Sequence, residues 1–405
     1  MQEPAQVLSP APPPRPVRPR RRFKGEWLTG YLMVMPATVL IGLFGLFPIG
    51  YAIYMSVHRW RIRKGGFIGL DNYERVLGSW GGAAAFFGGL LLILVAHWLW
   101  TTAFRGHSDW RRWARLAGAL TLLSAGISIA LGWGAMTEAG EARFLSGLIR
   151  TTYYGFLSVP TQIILALIIA SLLFQRLRGS EFFRMVYFLP YVTPAVAGAA
   201  VYGALFSPRD ERPINQLLGW FGIPPQDWLF EPDPVLELII NGVLVRWANL
   251  TGGEPIEVAL SGFWAGPSLA LITIIIFGIW TYTGYNAVIF LAGLGNIPKD
   301  LYEAAEIDGA GQRQRFMHIT VPLLSPVTFY LTVLGFIGTF QAFTHLYVMR
   351  VPATRDAVDT ASVVIFDTFY KRNDFSLAAS QSIVLFVIIL ILTLFNQRIL
   401  GGRGQ

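Results

Sequence analysis

The sequence predicts an all-α integral membrane protein with eight transmembrane helices. Only 14% of its 405 residues are charged and 54% are hydrophobic, whereas soluble proteins carry about a quarter charged residues. A helix needs about 20 apolar residues to cross a bilayer. Eight uncharged runs are long enough, and they lack the in/out alternation of barrel strands. They lie at 27–58, 76–104, 116–137, 151–175, 185–208, 258–298, 316–349 and 375–397.

The first 26 residues are rich in Pro and Arg. This composition cannot bury a core and predicts a disordered tail over 1–26. The apolar run that follows is too long for a signal peptide and shows no clear cleavage site, so we expect it to be retained as the first span.

The distribution of charge predicts the orientation, because Lys and Arg favour cytoplasmic loops. With the tail inside and eight crossings, the cytoplasmic loops carry an excess of basic residues and the external loops a slight excess of acidic ones. Both termini are therefore expected in the cytoplasm. The basic cluster from Arg59 to Lys64 falls outside the cytoplasm and has no explanation in this topology.

Residues 207–266 are predicted to form an external loop. Its segment 235–250 is apolar but contains Glu237 and Arg246. Each charge costs about 3 kcal/mol at the centre of a membrane helix, and about nine aliphatic residues return about 0.5 kcal/mol each, so insertion is not favoured. An external amphipathic helix is expected instead, which caps the external mouth or contacts a binding protein. Its apolar face collects Leu236, Ile239, Ile240, Val243 and Trp247.

The polar island at 293–321 lies between two apolar runs and predicts a short helix that docks onto another protein. Pro298 suits the first turn of a helix. Ala304 and Ala305 leave a low surface for close packing, and Gly309 permits a sharp reversal of the chain.

The island resembles the EAA loop of the permease subunits of ABC importers, at which the membrane subunit meets its cytoplasmic ATPase. The spacing matches throughout, with Val321 in place of the usual Leu. The resemblance implies that the loop is a coupling helix seated on the ATPase. The coupling residues would be Glu303, Ala304, Ala305, Asp308, Gly309, Ile319 and Pro322.

Five further short motifs, in order, are similar to those of the maltose-permease-like carbohydrate subgroup. They lie at 68–73, 177–190, 284–294, 297–302 and 338–343. The resemblance implies that residues 27–405 form an ABC transporter permease domain with a six-helix core. Residues 77–150 depart from the family pattern, and we predict an inserted transmembrane hairpin there, which brings the total to eight spans.

Polar residues in the later spans are candidates for a substrate path. Sugars are bound by amides, hydroxyls and aromatic rings, although such residues also join packed helices. The candidates are Gln341, Asn286, Tyr285, Tyr282, Thr339 and Gln162. The resemblance favours Gln341, because the matching position in the maltose permease carries an amide that faces bound sugar.

The chain itself is predicted not to be an enzyme and to bind no cofactor or metal. It has no cysteine, no G-x-x-x-x-G-K-[ST] nucleotide motif and no metal-ligand spacing among its five histidines. The resemblance implies a permease subunit of an ATP-driven importer of disaccharides or oligosaccharides in a prokaryotic plasma membrane. Its partners would be a second permease subunit, two ATPase subunits that use ATP and Mg, and an external binding protein. The alternative is an ion-gradient-driven secondary transporter, which usually carries ionisable residues at mid-depth; these spans have almost none.

Overall fold

The protein is described here by a computed structural model over residues 25–103, 108–175, 179–209, 212–251, 254, 257–260 and 263–400. Its regular structure is helical apart from one two-stranded hairpin within those residues. Most of the predicted disordered tail, the linker at 104–107 and part of the motif at 177–190 lie outside the described residues.

The helices are α1 (Gly25–Ile41), α2 (Phe47–Ser56), α3 (Asp71–Leu77), α4 (Trp80–Ala103), α5 (Ser108–Ala139), α6 (Ala142–Phe174), α7 (Ser180–Val192), α8 (Ala195–Leu205), α9 (Pro213–Trp220), α10 (Val235–Thr251), α11 (Leu269–Gly295), α12 (Lys299–Ile307), α13 (Gln312–Arg315), α14 (Val321–Leu323), α15 (Ser325–Phe340), α16 (Thr344–Met349), α17 (Arg355–Val358), α18 (Ala361–Tyr370) and α19 (Phe375–Leu400). The chain divides into two compact units, 1–51 and 52–405. The described part of the first unit is α1, a π-helical turn and the start of α2, with nearly all of its apolar side chains exposed.

Six helices in the described residues are long and apolar enough to cross a membrane, and two bent helix pairs raise the number to eight if each pair is one span. The six are Trp27–Ser56, Trp80–Thr101, Trp113–Ala139, Ala142–Phe174, Leu269–Gly295 and Phe375–Gln397. Long apolar helices therefore occupy six of the predicted regions, and the two bent pairs occupy the other two. Two of the eight predicted runs are not single straight helices.

The predicted run 185–208 is broken between α7 and α8, which are bent by 98°. Thr193 precedes Pro194 and has an extended backbone (φ −65°, ψ 133°). The proline ring disfavours the helical conformation in the residue before it, and the extended backbone of Thr193 ends α7 at Val192.

The predicted run 316–349 is also not one helix. It bends by 60° after Leu323 and then ends at Phe340, with α16 following as a separate short helix. Pro326 has no N–H to donate to the carbonyl four residues earlier, which weakens the helix at the bend.

The predicted inserted hairpin is formed by α4 and α5, which pack against each other along much of their length. A Cβ on Gly132 would lie 2.4 Å from the backbone nitrogen of Phe86, so only glycine allows this approach of the two backbones. The last part of the predicted range, residues 142–150, is not in the hairpin but forms the first turns of α6.

The basic cluster from Arg59 to Lys64 forms the tip of the hairpin β1 (His58–Trp60) and β2 (Lys64–Phe67). Arg61 pairs with Asp374 at 3.5 Å, and the ammonium of Lys64 lies over the rings of Tyr54 and Trp60. Contacts with one distant carboxylate and with neighbouring aromatic rings therefore hold part of a cluster that the charge distribution left unexplained.

A buried ion-pair network joins the start of α6 to the segment between α16 and α19. Asp359 and Asp367 are 1% and 3% exposed. Arg143 lies 2.6 Å from the Asp359 carboxylate and 3.0 Å from that of Asp367, while Arg350 contacts the same carboxylates at 2.9 and 3.2 Å. Lys371 completes the network at 2.7 Å from Asp367. It fixes the start of α6 to a segment that lies more than 200 positions later in the sequence.

This network predicts a loss of stability in acid. Burial alone would raise the pKa of Asp367, but hydrogen bonds from Arg350 and Lys371 outweigh it and lower the pKa below its usual value. A carboxylate with a lowered folded-state pKa stabilises the fold above its unfolded pKa of about 3.9 and loses that contribution as the pH falls through the folded pKa. We therefore expect the Tm of the purified protein to fall from about pH 5 to about pH 3, and Asp367→Asn to flatten this dependence.

Thermal unfolding of both proteins across this pH range is the measurement. Asp233→Asn, at an exposed carboxylate, is the control and should leave the pH dependence unchanged. Identical slopes for the parent protein and Asp367→Asn would contradict the prediction.

The predicted amphipathic helix in the loop 207–266 is confirmed as α10. Glu237 does not face solvent alone, since its carboxylate accepts a hydrogen bond from the Leu260 amide at 3.0 Å. The charge that opposed membrane insertion is thus used to hold the loop together.

Candidate functional site

A cavity of about 100 Å³ lies among α6, α7, α11 and α15. It is lined by polar and aromatic groups together with small and aliphatic residues. The lining residues are Tyr154, Gln162, Tyr191, Tyr282, Tyr285, Asn286, Leu331, Leu334, Gly335, Gly338, Thr339 and Ala342. Such a mixture suits a hydroxylated ligand, because few polar groups fix its orientation and apolar surface covers the rest.

The amide groups of the cavity come from two neighbouring helices. Gln162 on α6 is 3% exposed and Asn286 on α11 is 8% exposed. The Gln162 Nε2 atom has no hydrogen-bond partner among the described residues. A buried donor without a partner is costly, so this amide is available to a bound molecule.

A group of tyrosines forms one wall of the cavity. The rings of Tyr191 and Tyr285 stack with centroids 4.5 Å apart, and Tyr282 meets Tyr191 edge-on at 5.9 Å. On the α6 side, the Tyr154 hydroxyl lies 2.8 Å from Nε2 of His345. Aromatic faces and phenolic hydroxyls together can stack on and hydrogen-bond to a sugar ring.

The structure brings together five of the six residues that the sequence singled out for a substrate path. Gln162, Tyr282, Tyr285, Asn286 and Thr339 all line the cavity.

Gln341 is the exception among the predicted path residues. It follows the end of α15 at Phe340, is exposed, and is not among the lining residues of the cavity. Its role in substrate contact stays a prediction.

Two aromatic lining residues were missed by the sequence analysis, Tyr154 and Tyr191. Tyr154 precedes Gln162 by eight residues, a spacing that puts both on one face of α6. That periodicity was the available signal. Tyr191 follows Pro190, and no local pattern shows that its ring reaches α11.

A second candidate site is the polar island at 293–321, which forms α12, a tight turn and α13. Gly309 has φ +79°. The Ala310 amide donates to the Ala305 carbonyl at 2.8 Å and the Gly309 amide to the Glu306 carbonyl at 3.0 Å. This pair of bonds is the Schellman arrangement that ends a helix with a left-handed glycine. Gly309 therefore determines where α12 stops.

The island presents an exposed surface with few contacts to the spans. Glu303, Ala304 and Asp308 are exposed and Ile307 is 87% exposed. Such an exposed large aliphatic side chain beside small and acidic residues suits a protein contact.

Two side-chain contacts join residues within the island and stabilise it. The hydroxyls of Tyr302 and Thr320 are 2.9 Å apart, and Arg315 pairs with Glu306 at 2.9 Å. Of the other predicted coupling residues, Ile319 lies in the π-helical turn after α13 and Pro322 lies in α14. They belong to the start of the next apolar segment, where Ile319 is half-buried and Pro322 is exposed.

No group of three or more His, Cys, Asp or Glu side chains that could hold a metal ion occurs in the described part of the chain.

Similarity to known proteins extends over most of the chain. The family model described as "Binding-protein-dependent transport system inner membrane component" matches residues 123–401. The trehalose/maltose transport system permease protein MalF of Thermococcus litoralis is 26% identical over 367 residues, 90% of this chain and 91% of that protein. The lactose transport system permease protein LacF of Rhizobium radiobacter is 32% identical over 254 residues, 62% of this chain and 74% of that protein.

A solved structure has the same fold. A chain of a bacterial ABC transporter involved in the import of the acidic polysaccharide alginate matches with a TM-score of 0.58 and 19% identity, covering 94% of this chain and 98% of that chain. This likeness concerns the fold alone.

Proposed function

The chain belongs to the family of binding-protein-dependent transport system inner membrane components, whose model matches residues 123–401, and on this premise we propose that it is one permease subunit of an ATP-driven importer of disaccharides or oligosaccharides. The protein is a multi-pass membrane protein. The observation that carries the substrate class is the cavity among α6, α7, α11 and α15, which combines the amide groups of Gln162 and Asn286 with a tyrosine wall. Relatives named for trehalose, maltose and lactose support a sugar.

The size of the cavity supports a second permease subunit. Ligand sites usually measure about 300–1,000 Å³, and this cavity holds about 100 Å³. A disaccharide therefore needs a wall from another chain, and a similar permease in a heterodimer would supply it. The chain then forms half of the translocation path.

The energy for import is proposed to come from two separate ATPase subunits in the cytoplasm. This sequence contains no nucleotide-binding G-x-x-x-x-G-K-[ST] motif. The exposed surface of α12, with Glu303 and Ala304, is proposed to contact the ATPase subunit. Closure of the ATPase dimer on ATP would move this helix, and the spans would alternate between outward and inward access. Both termini are proposed to be cytoplasmic, and an external binding protein would deliver the sugar.

The ion-gradient alternative has little support from the spans. The six apolar helices contain a single acidic residue, Glu138, one position before the end of its helix. Proton-coupled carriers need ionisable groups at the depth of the substrate.

Removal of an amide from the cavity tests the proposal. Asn286→Leu keeps the approximate size of the side chain and removes the amide groups that would hydrogen-bond to a bound sugar. A lost hydrogen bond is worth about 0.5–1.5 kcal/mol, so we expect the KM for uptake to rise up to about tenfold. The assay is sugar-stimulated ATP hydrolysis and uptake by the reconstituted complex across a panel of disaccharides and oligosaccharides.

Thr281→Val on the same helix is the control, since its hydroxyl donates to the Phe277 carbonyl and does not line the cavity. Gln341→Ala in the same assay tests the residue that the structure places away from the cavity. An unchanged KM and an unchanged sugar preference in both Asn286→Leu and Gln162→Leu would contradict the cavity as the path.

A further inference from the structure

The helix α10 has one apolar face that nothing in the described chain covers. The face consists of Leu236, Ile239, Val243, Trp247 and Leu250, which are between 47% and 80% exposed. Their spacing of three and four residues places all five along one stripe of the helix.

The opposite side of α10 makes hydrogen bonds and packing contacts with the rest of the protein. Asn241 accepts from the Val258 amide at 2.9 Å and donates to the Val258 carbonyl at 3.2 Å. Glu237 accepts from the Leu260 amide, and Ala248 is 3% exposed. The helix therefore cannot rotate to bury its apolar stripe without breaking these bonds.

The start of α10 is fixed to the start of the apolar helix α11. The Val235 amide donates to the Pro267 carbonyl at 3.0 Å, and the Leu269 amide donates to the Asp233 carbonyl at 3.2 Å. A third bond links Ala270 to Glu231 at 3.2 Å. Since α11 is a membrane-crossing candidate that begins at Leu269, α10 begins beside the end of a helix that is long and apolar enough to cross the bilayer.

The composition of the stripe and its surroundings suits a lipid surface. Trp247 lies in the stripe and Arg246 at its edge, and both residue types favour the boundary between headgroups and acyl chains. The loop also exposes Trp220 (82%), the last residue of α9, and Phe221 (74%), which follows it.

We propose that α10 lies in the bilayer interface, with the stripe from Leu236 to Leu250 buried in the leaflet next to the start of α11. A helix of 17 residues is about 25 Å long. Lying along the bilayer surface beside the first residues of α11, it would anchor the permease in that leaflet. The inference uses the membrane insertion of α11 and is independent of the substrate and of the side on which the loop lies.

Spin labels on a matched pair of valines test the proposal. The chain contains no cysteine, so Val243→Cys and Val245→Cys each provide one labelling site in the full chain. The two valines are 63% and 41% exposed. Because they are two residues apart in a helix, their side chains point to nearly opposite sides. In nanodiscs of phosphatidylcholine and phosphatidylglycerol, we expect the label at 243 to be severalfold less accessible to a water-soluble nickel chelate than the label at 245, and more accessible to oxygen.

Leu250→Cys is a second stripe position and should behave as Val243→Cys does. Equal nickel accessibility at 243 and 245 would overturn the proposal. So would shielding of position 243 that develops only when the second permease or the binding protein is added, because the stripe would then be a protein contact. The test needs no transport activity, so failure of the proposed sugar import would not affect its result.

Discussion

Replacement of Gly309 by valine is expected to abolish solute uptake and to release the ATPase subunits, while the chain itself stays in the membrane. Gly309 holds φ +79° in the turn that ends α12. A left-handed conformation costs a residue with a Cβ about 1–2 kcal/mol, and a β-branched residue is the least tolerant. The Schellman bonds from Gly309 and Ala310 would open, and the exposed side chains of Glu303 and Ala304 would turn away from their proposed partner.

Co-purification of the ATPase with the tagged chain, together with uptake by membrane vesicles, measures this effect. Gly309→Asn is the matched control. Asparagine tolerates the left-handed conformation, and a Cβ at position 309 meets no atom within 4 Å. We expect it to retain most of the coupling. Normal uptake by Gly309→Val would reject the docking role, and an equal loss in both variants would show that the contact surface, not the turn, is what glycine preserves.

Gly284→Ala is expected to prevent α7 from packing on α11 and so to destabilise the whole protein. A Cβ on Gly284 would lie 1.7 Å from the Tyr187 carbonyl oxygen, whereas ordinary contact begins near 3.4 Å. The obstructing atom belongs to the backbone and cannot rotate away. Overpacking costs about 1–3 kcal/mol when side chains can adjust, so we expect at least the upper end of this range.

The same substitution should disturb the cavity, because a displaced α7 separates Tyr191 from its stacking partner Tyr285. The measurement is the fraction of protein that remains monodisperse after heating to each temperature, determined by size-exclusion chromatography in detergent. Gly126→Ala in α5 is the control, since nothing lies within 4 Å of its added Cβ. A Tm for Gly284→Ala equal to that of the parent protein would contradict the prediction.

Local patterns were enough to predict the parts of the fold that depend on short stretches of sequence. The apolar runs gave the positions of the spans. The spacing around Gly309 gave a helix, a turn and an exposed surface, because a Schellman stop needs only the few residues that form it. The amphipathic helix α10 was predicted for the same reason, as its period is visible within four turns.

Features that depend on distant contacts could not be predicted. Arg143 and Asp359 are separated by 216 positions, and no local pattern relates them. The position of Gln341 depended on α15 ending at Phe340, which apolarity alone does not reveal. The break at Thr193 had a local signal in Pro194, but a long uncharged run concealed it.

The 98° break between α7 and α8 has a consequence for hydration. A helix start leaves its first amide groups without intrahelical acceptors. Non-helical backbone at membrane depth is tolerated only where it is enclosed by protein or lines a water-filled space. The first residues of α8 are exposed, and Tyr191, just before the break, lines the cavity. Where this break lies at membrane depth, its open amide groups need either water from the cavity or a wall from a neighbouring chain, so this side of the permease is not a surface for lipid.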